Sequence, residues 1–241
     1  MGLALEVGML ADLLMNDEEG AAYFREDMAK VNGVLAAAGL PSHAEPTESA
    51  VHSTDMYGYS GLHHLRRCAA HLHYRGVLPP PLADNERPTD DRLLTRYGSD
   101  FVAENSEALP GSFAAPSARP FDHLIMHSDA EGFYLPQTFE RVLISGDQAY
   151  GWIGSSHTLR AECARLAIAL ELPSELLSNP ETEAFFEAIE VEKGGGPKFR
   201  LFRPKAPKVV WRQHAVAAMM CAKLHCFTTY SIQANAALVF C

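Results

Sequence analysis

Residues 121–136 have the sequence FDHLIMHSDAEGFYLP and mark the point where the chain changes from helical to strand-like patterning. The first seven residues suit a helix or a strand equally, because periodicity does not separate the two in so short an apolar run. Residues 129–132 carry a turn signal, since Asp and Gly favour turn conformations. Phe133-Tyr134-Leu135 is then typical of a short strand, which Pro136 confines to a sheet edge or a strand end. The stretch therefore predicts a turn between helical and strand-like halves.

Apolar residues recur at helical spacing over most of the remaining chain, which predicts a predominantly helical protein. The predicted helices cover residues 3–15, 17–38, 60–72, 93–101, 154–170, 174–190 and 208–227. The predicted strands are 133–135 and 142–144, with residues 198–203 as a further strand or extended arm. The predicted fold class is α+β, predominantly α-helical with a small antiparallel β-element, in a single globular domain of residues 1–241.

Charge is divided unevenly along the chain. Its net charge is -10, which argues against a generic nucleic-acid-binding protein because phosphate binding needs clustered positive charge. Residues 1–192 hold all 30 acids and 12 Lys/Arg, a net of -18, whereas residues 193–241 hold 8 Lys/Arg and no acid. The basic segment 193–212 begins with a Gly/Pro-rich break at residues 194–197 and also contains Phe and Trp. We expect it to dock on the acidic body, within the monomer or between subunits, rather than to bind nucleic acid.

The cysteines and the apolar runs favour a soluble cytoplasmic protein. An odd number of five cysteines, mostly within apolar patterns, is typical of reduced thiols rather than of a disulfide framework. No stretch resembles a signal peptide, and no run reaches the roughly 20 apolar residues of a membrane span. We therefore expect no membrane association.

His127 and Asp129 are the main candidates for chemistry in a histidine-rich chain. An imidazole and a carboxylate two residues apart, with Glu131 close behind, could bind one divalent metal, or Asp129 could orient His127 as a general base. The alternative is that His127 is a buried histidine bonded to backbone and that Asp129 caps the turn. His123 could join them if residues 123–127 are helical, because it lies four residues before His127. A complete site needs further groups from elsewhere, and the best donors to expect are His63, His64 and His157.

Residues 154–157, GSSH, offer a second candidate site at the start of a predicted helix. Exposed N–H groups, the hydroxyls of Ser155 and Ser156 and the helix dipole together suit an anion such as phosphate. A serine in this place is also an ordinary helix cap, which contributes about 1 kcal/mol of stability. The sequence lacks the lysine and the glycine spacing of a phosphate-binding P-loop.

Three segments resemble a family of small uncharacterised proteins. They are residues 57–65 (YGYSGLHHL), residues 127–136 (HSDAEGFYLP) and residues 154–156 (GSS). In that family an H-S-D-x-x-G-[FY]-Y-x-P segment is followed by G-S-S at a helix start, and some members resemble bacterial toxin-immunity proteins. The resemblance covers about half the chain in short pieces. It implies no established activity and transfers no catalytic residue.

Two hypotheses about function follow from these observations. The first is a binding or regulatory protein that meets a protein partner or another copy of itself. Its polar pocket would hold His127, Asp129, Glu131, Tyr134, Ser155 and Ser156, with His63 or His64 nearby. The second is a metal-dependent hydrolase with a divalent cofactor, in which His127 and Asp129 are the ligands.

Overall fold

The computed structural model describes residues 4–55, 59–83, 86–105, 118–128, 132–144, 152–192 and 209–241. Its strands are β1 (Ala4–Val7), β2 (His52–Asp55), β3 (Gly132–Leu135), β4 (Leu143–Ile144), β5 (Trp152–Ser155) and β6 (Leu238–Phe240). Its helices are α1 (Met9–Asn16), α2 (Glu18–Ala37), α3 (Tyr59–Arg75), α4 (Arg92–Asn105), α5 (Asp122–Ile125), α6 (Ser156–Ala169), α7 (Ser174–Leu177), α8 (Glu183–Glu192), α9 (Val210–Gln213) and α10 (Ala215–Ala234), with a 3-10 turn at Pro88–Asp90.

The strands form one six-stranded sheet in the order β2-β1-β6-β3-β5-β4. Strands β3 and β5 run parallel, and the other four neighbouring pairs are antiparallel. The predicted α+β class with a predominance of helix is confirmed. The β-element is larger than predicted, and it is mixed rather than purely antiparallel. The pattern of a short apolar run does not indicate whether the neighbouring strand is parallel or antiparallel. The sequence therefore could not predict the parallel pairing of β3 and β5.

Side chains alternate between the two faces of the sheet, and helices cover both faces. Phe133 and Leu135 of β3 join a core with α1 and α2, whereas Tyr134 between them faces a second core with α3, α6 and α10. The same alternation places Val239 of β6 on the first side and Phe240 on the second. This is the period of two that a pleated strand imposes. The central strands are therefore buried on both faces.

Helix α2 owes its position to one cap and one apolar stripe. The Asp17 side chain accepts a hydrogen bond of 2.9 Å from the Gly20 N–H and so caps the first turn. The stripe is buried against the sheet, where the rings of Phe24 and Phe133 meet edge to face at 6.0 Å. Its members are Ala21, Phe24, Met28, Val31 and Leu35, at the helical spacing of three and four residues.

Helix α10 is the centre of the second core. Both sides of this helix are buried along most of its length, as in a helix that is apolar all round. It packs against α3, α6, α7, α8 and α9 and also touches β1 and β6. The predicted helix 208–227 is interrupted at His214, where α9 ends and α10 begins. No helix within the described ranges has the length and apolar character needed to cross a membrane.

Two local predictions were wrong. Residues 3–15 were predicted as one helix, but Ala4–Val7 is a strand in which Leu5 and Val7 are buried and alternate with half-buried residues. Gly8 separates this strand from α1 with a φ of 86°, and a Cβ there would lie 2.7 Å from the Ala50 carbonyl oxygen. Residues 154 and 155, predicted to open a helix, instead end β5. The predicted strand at 198–203 lies outside the described residues.

Candidate functional site

The structure brings several of the predicted pocket residues together beside α5. The His127 ring stacks on the Tyr134 ring of β3, with 4.0 Å between centroids. Gly132 permits this approach: its φ is 125°, and a Cβ there would lie 2.7 Å from His127 Cε1. Gly154 plays the same part on β5, because a Cβ there would meet the Tyr134 ring at 2.3 Å. The predicted residues Asp129 and Glu131 lie outside the described part of the chain.

His127 is buried and is held by backbone. Its Nδ1 lies 3.1 Å from the Ser128 carbonyl oxygen and its Nε2 lies 3.4 Å from the Phe133 carbonyl oxygen. Burial lowers the pKa of His127 to about 3, so the ring is neutral near neutral pH. A neutral imidazole has one N–H, and only one of these two contacts is a hydrogen bond at any moment.

His123 also belongs to this cluster. In the sequence it was a candidate only because it lies four residues before His127. Its Nδ1 accepts a hydrogen bond of 2.9 Å from the Ser155 N–H. The ring proton is therefore on Nε2, which donates to the Glu140 carbonyl oxygen at 3.1 Å. Burial lowers the pKa of His123 to about 4. His123 thus links α5 to the end of β5 as a neutral side chain.

Glu162 and Arg66 hold the two ends of α5. The Glu162 carboxyl group on α6 accepts hydrogen bonds from the backbone N–H groups of His123 at 3.1 Å and Leu124 at 2.8 Å. Arg66 on α3 donates to the carbonyl oxygens of Leu124 and His127. Burial outweighs the two hydrogen bonds and raises the pKa of Glu162 to about 8. Sequence patterning missed both residues, because each falls within an amphipathic helix like any surface charge.

Ser155 and Ser156 are used inside the fold. The Ser155 hydroxyl donates to the Gln137 carbonyl oxygen at 2.6 Å and accepts from the Thr158 N–H at 3.2 Å, which caps α6. The Ser156 hydroxyl lies 3.2 Å from the Tyr134 carbonyl oxygen and 2.8 Å from the Ser231 hydroxyl. Both serines are buried. The hydroxyls predicted to meet an anion are therefore bonded to neighbouring parts of the chain.

His63 and His64 lie in the first turns of α3 and are half-buried. The bonds from α3 to the α5 cluster described above come from Arg66, less than one turn further along. Within the residues that the structure describes, no group of three or more His, Cys, Asp or Glu side chains is placed to hold a metal ion. The described residues thus give the metal hypothesis no support. The hydrogen bonds of Arg66, His123 and Glu162 instead join α3, α5, α6 and β5 to one another.

A second region rich in ionisable groups is exposed. Residues 171–192 contain seven acids and no Lys or Arg. Six of the seven are exposed, and the seventh, Glu192, is half-buried and accepts a hydrogen bond of 3.0 Å from the Val216 N–H. Glu181 accepts one of 2.6 Å from the Thr54 hydroxyl. The other five are Glu171, Glu175, Glu183, Glu187 and Glu190.

Three of these acids project from one side of α8. Phe185 and Ala188 bury the opposite side, where the rings of Phe185 and Trp211 meet at 5.5 Å. At about 100° per residue, positions 183, 187 and 190 fall within roughly 60° of one another around the helix. We call this face, made by Glu183, Glu187 and Glu190, the acidic α8 surface. Phe186 lies on the same side and is 40 % exposed.

The surface of the described residues is acidic as a whole. It exposes sixteen Asp and Glu side chains against ten Lys and Arg side chains. On the acidic α8 surface three exposed carboxylates follow one another along a helix without an intervening Lys or Arg. The net charge of residues 1–192 is evident from the sequence, but this run was not among the predicted sites. The absence of Lys and Arg from residues 166–192 was the available signal.

A family model described as "Putative DNA-mimic protein" matches residues 1–240, and the chain belongs to that family. No curated protein and no solved structure matches the chain.

Proposed function

We propose, with membership of this DNA-mimic family as the premise, that the protein binds a DNA-binding protein at its DNA-contacting surface and competes with DNA. The observation that carries the proposal is the acidic α8 surface. Surfaces that contact DNA carry Lys and Arg side chains, which neutralise phosphates. A row of carboxylates offers the same charge to the same side chains. The expected role is that of a regulator acting through protein–protein contact.

The spacing of the carboxylates supports this role. Residues 183 and 190 are about 10 Å apart along the helix axis at 1.5 Å per residue. One strand of duplex DNA presents a phosphate about every 3.4 Å along its axis, so about three steps cover the same length. Arginine forks bind carboxylates and phosphates in the same bidentate geometry. A basic groove could therefore engage the acidic α8 surface with the side chains that it uses for DNA.

The apolar neighbours of these carboxylates favour a protein as the partner. Phe186 is 40 % exposed and Val191 is 54 % exposed on α8. Interfaces between proteins combine apolar or aromatic anchors with polar groups around them. A small inorganic cation would bind through the carboxylates alone, without contact to an exposed phenyl ring. The resemblance to toxin-immunity proteins, kept here as a proposal, would make the partner a toxin with a nucleic-acid-binding surface.

The experiment uses DNA itself as the competitor. Proteins of a cell extract that bind immobilised duplex DNA are passed over the immobilised protein and eluted with duplex DNA at constant salt. We expect at least one protein to be retained and then released. In a fluorescence anisotropy assay, the free protein should displace labelled DNA from that partner. Retention that duplex DNA does not reverse would contradict the proposal.

Matched variants locate the interface. Changing Glu183, Glu187 and Glu190 together to Gln should weaken partner binding at least about tenfold, since three charge contacts are lost. The control changes Glu26, Glu48 and Glu140 to Gln, which removes the same charge from scattered exposed positions. It should stay within about threefold of the wild type, because it alters only long-range attraction. Equal losses in both variants would exclude the acidic α8 surface as the interface.

A further inference from the structure

A cavity of about 510 Å³ lies where α3 meets the 3-10 turn and the start of α4. Four arginines line it, namely Arg67, Arg75, Arg87 and Arg92. In a protein of net charge -10, this gathering of cations departs from the rest of the surface. The cavity is separate from the α5 cluster and from the acidic α8 surface.

The inner wall of the cavity is fixed by Asp91. Its Oδ2 accepts hydrogen bonds of 2.9 Å from Arg67 Nε and 2.9 Å from His71 Nε2, and its Oδ1 accepts one of 2.9 Å from the Leu93 N–H. Arg67 Nη1 also donates to the Pro80 carbonyl oxygen at 3.0 Å. Arg67 and His71 are both buried. The wall is therefore already ordered before any ligand arrives, which reduces the entropy lost on binding.

The outer part of the cavity carries Arg75, Arg87 and Arg92, all of them exposed. These three take part in none of the ion pairs that join residues in the described ranges. Arg92 is the first residue of α4, where the helix dipole disfavours a positive charge. Among the described residues, these three charges therefore form no ion pair that joins one part of the fold to another. They are, however, what an anion-binding site requires.

We propose that this cavity binds a small phosphorylated molecule, held by Arg75, Arg87 and Arg92 against the wall formed by Arg67. The volume lies within the range of about 300–1,000 Å³ that small-molecule sites occupy. Arginine forks match phosphate oxygens in pairs, and Leu82 and Leu93 on the lining offer apolar contact to the rest of the ligand. Glu86 and Asp90 also line the cavity and leave its arginines in only a small excess over acids, which suits a compact anion better than an extended polyanion such as DNA. The site is independent of the proposed DNA mimicry.

The test measures pyrophosphate binding by isothermal titration calorimetry at constant ionic strength. We expect saturable binding to the wild type with a Kd between about 10 μM and 1 mM, the range for a small ligand held mainly by charge. Changing Arg75 and Arg92 together to Gln should weaken binding at least about tenfold. The control changes Arg141 and Arg160 to Gln, which removes two exposed arginines outside the cavity lining. It should bind as the wild type does.

Two results of the pyrophosphate titrations would overturn the proposal. One is the absence of saturable binding to the wild type up to about 10 mM pyrophosphate. The other is equal weakening in the two double variants, which would indicate non-specific attraction. Thermal denaturation of each variant shows whether it is folded before it is titrated. The titrations are repeated with a short DNA duplex. Duplex binding that is lost when the same two arginines are changed, and that prevents pyrophosphate binding, would identify nucleic acid as the ligand in place of a small molecule.

Discussion

The cluster around α5 and the acidic α8 surface are both dense in ionisable side chains, but they use them in opposite ways. In the α5 cluster His123, His127 and Glu162 are buried and bond to backbone groups. On α8 the carboxylates point away from a buried apolar side and are exposed. The buried groups of the α5 cluster stabilise the fold, whereas the exposed carboxylates of the acidic α8 surface remain available to a partner. Density of ionisable groups alone therefore does not identify a binding site.

The largest expected effect is a loss of stability from a substitution in the α5 cluster. Gly132→Ala should cost about 3 kcal/mol or more, because its φ of 125° disfavours a side chain and the new Cβ would lie 2.7 Å from His127 Cε1. Gly33→Ala is the matched control in α2, where a Cβ meets nothing within 4 Å. It should raise the free energy of unfolding by up to about 1 kcal/mol. Urea denaturation measures the free energy of unfolding of both variants. Similar values for the two would show that the His127 ring does not pack closely against Gly132.

A smaller loss is expected from Glu162→Gln. The amide cannot accept both N–H groups at the start of α5, which should cost about 2 kcal/mol. The raised pKa of Glu162, about 8 against a usual 4.5, means that the folded wild type keeps a proton which the unfolded chain releases. This contribution to stability is full below about pH 4.5 and is lost as the pH rises through about 8.

The stability difference between wild type and Glu162→Gln should therefore narrow as the pH rises. Urea denaturation of both proteins at about pH 5 and about pH 8 measures the change. Protonation of His123 and His127 affects both proteins alike and cancels in the comparison. A difference that is constant, or that widens towards high pH, would show that Glu162 is ionised in the folded protein.

The triple change of Glu183, Glu187 and Glu190 to Gln should leave stability within about 0.5 kcal/mol of the wild type. Removing like charges spaced three and four residues apart should even add a few tenths of a kcal/mol. Thermal denaturation at low and high salt would check this, because salt screens the repulsion. A loss comparable to that of Glu162→Gln would mean that these carboxylates support the fold.

Metal removal is expected to have the smallest effect. Both ring nitrogens of His127 face carbonyl oxygens, so EDTA should shift the melting temperature by less than about 1 °C. Metal analysis of the purified protein provides the control. A bound divalent ion together with a clear shift would revive His127 and Asp129 as ligands.

Some features of the α5 region could be predicted from its residues, and others could not. The strand at residues 133–135 was visible in composition and spacing, whereas residues 121–127 suited a helix or a strand equally. Most of the predicted turn at residues 129–132 lies outside the described residues. The involvement of His127 with backbone was one of the two alternatives considered. The contacts of His123 with Ser155 and of Glu162 with the start of α5 join residues more than thirty positions apart. Local patterns contain no information about such pairs.

The sequence by itself determined the helical predominance, the apolar stripes of helices such as α2 and the acidic character of the body, because these depend on composition and on local periodicity. Tertiary structure alone decided the parallel pairing of β3 with β5, the strand at residues 4–7 and the burial of Glu162. It also brought four arginines from α3, the 3-10 turn and α4 to one cavity. Each of these results depends on which distant segments meet. That choice is made by the packing of the whole core and not by any one stretch.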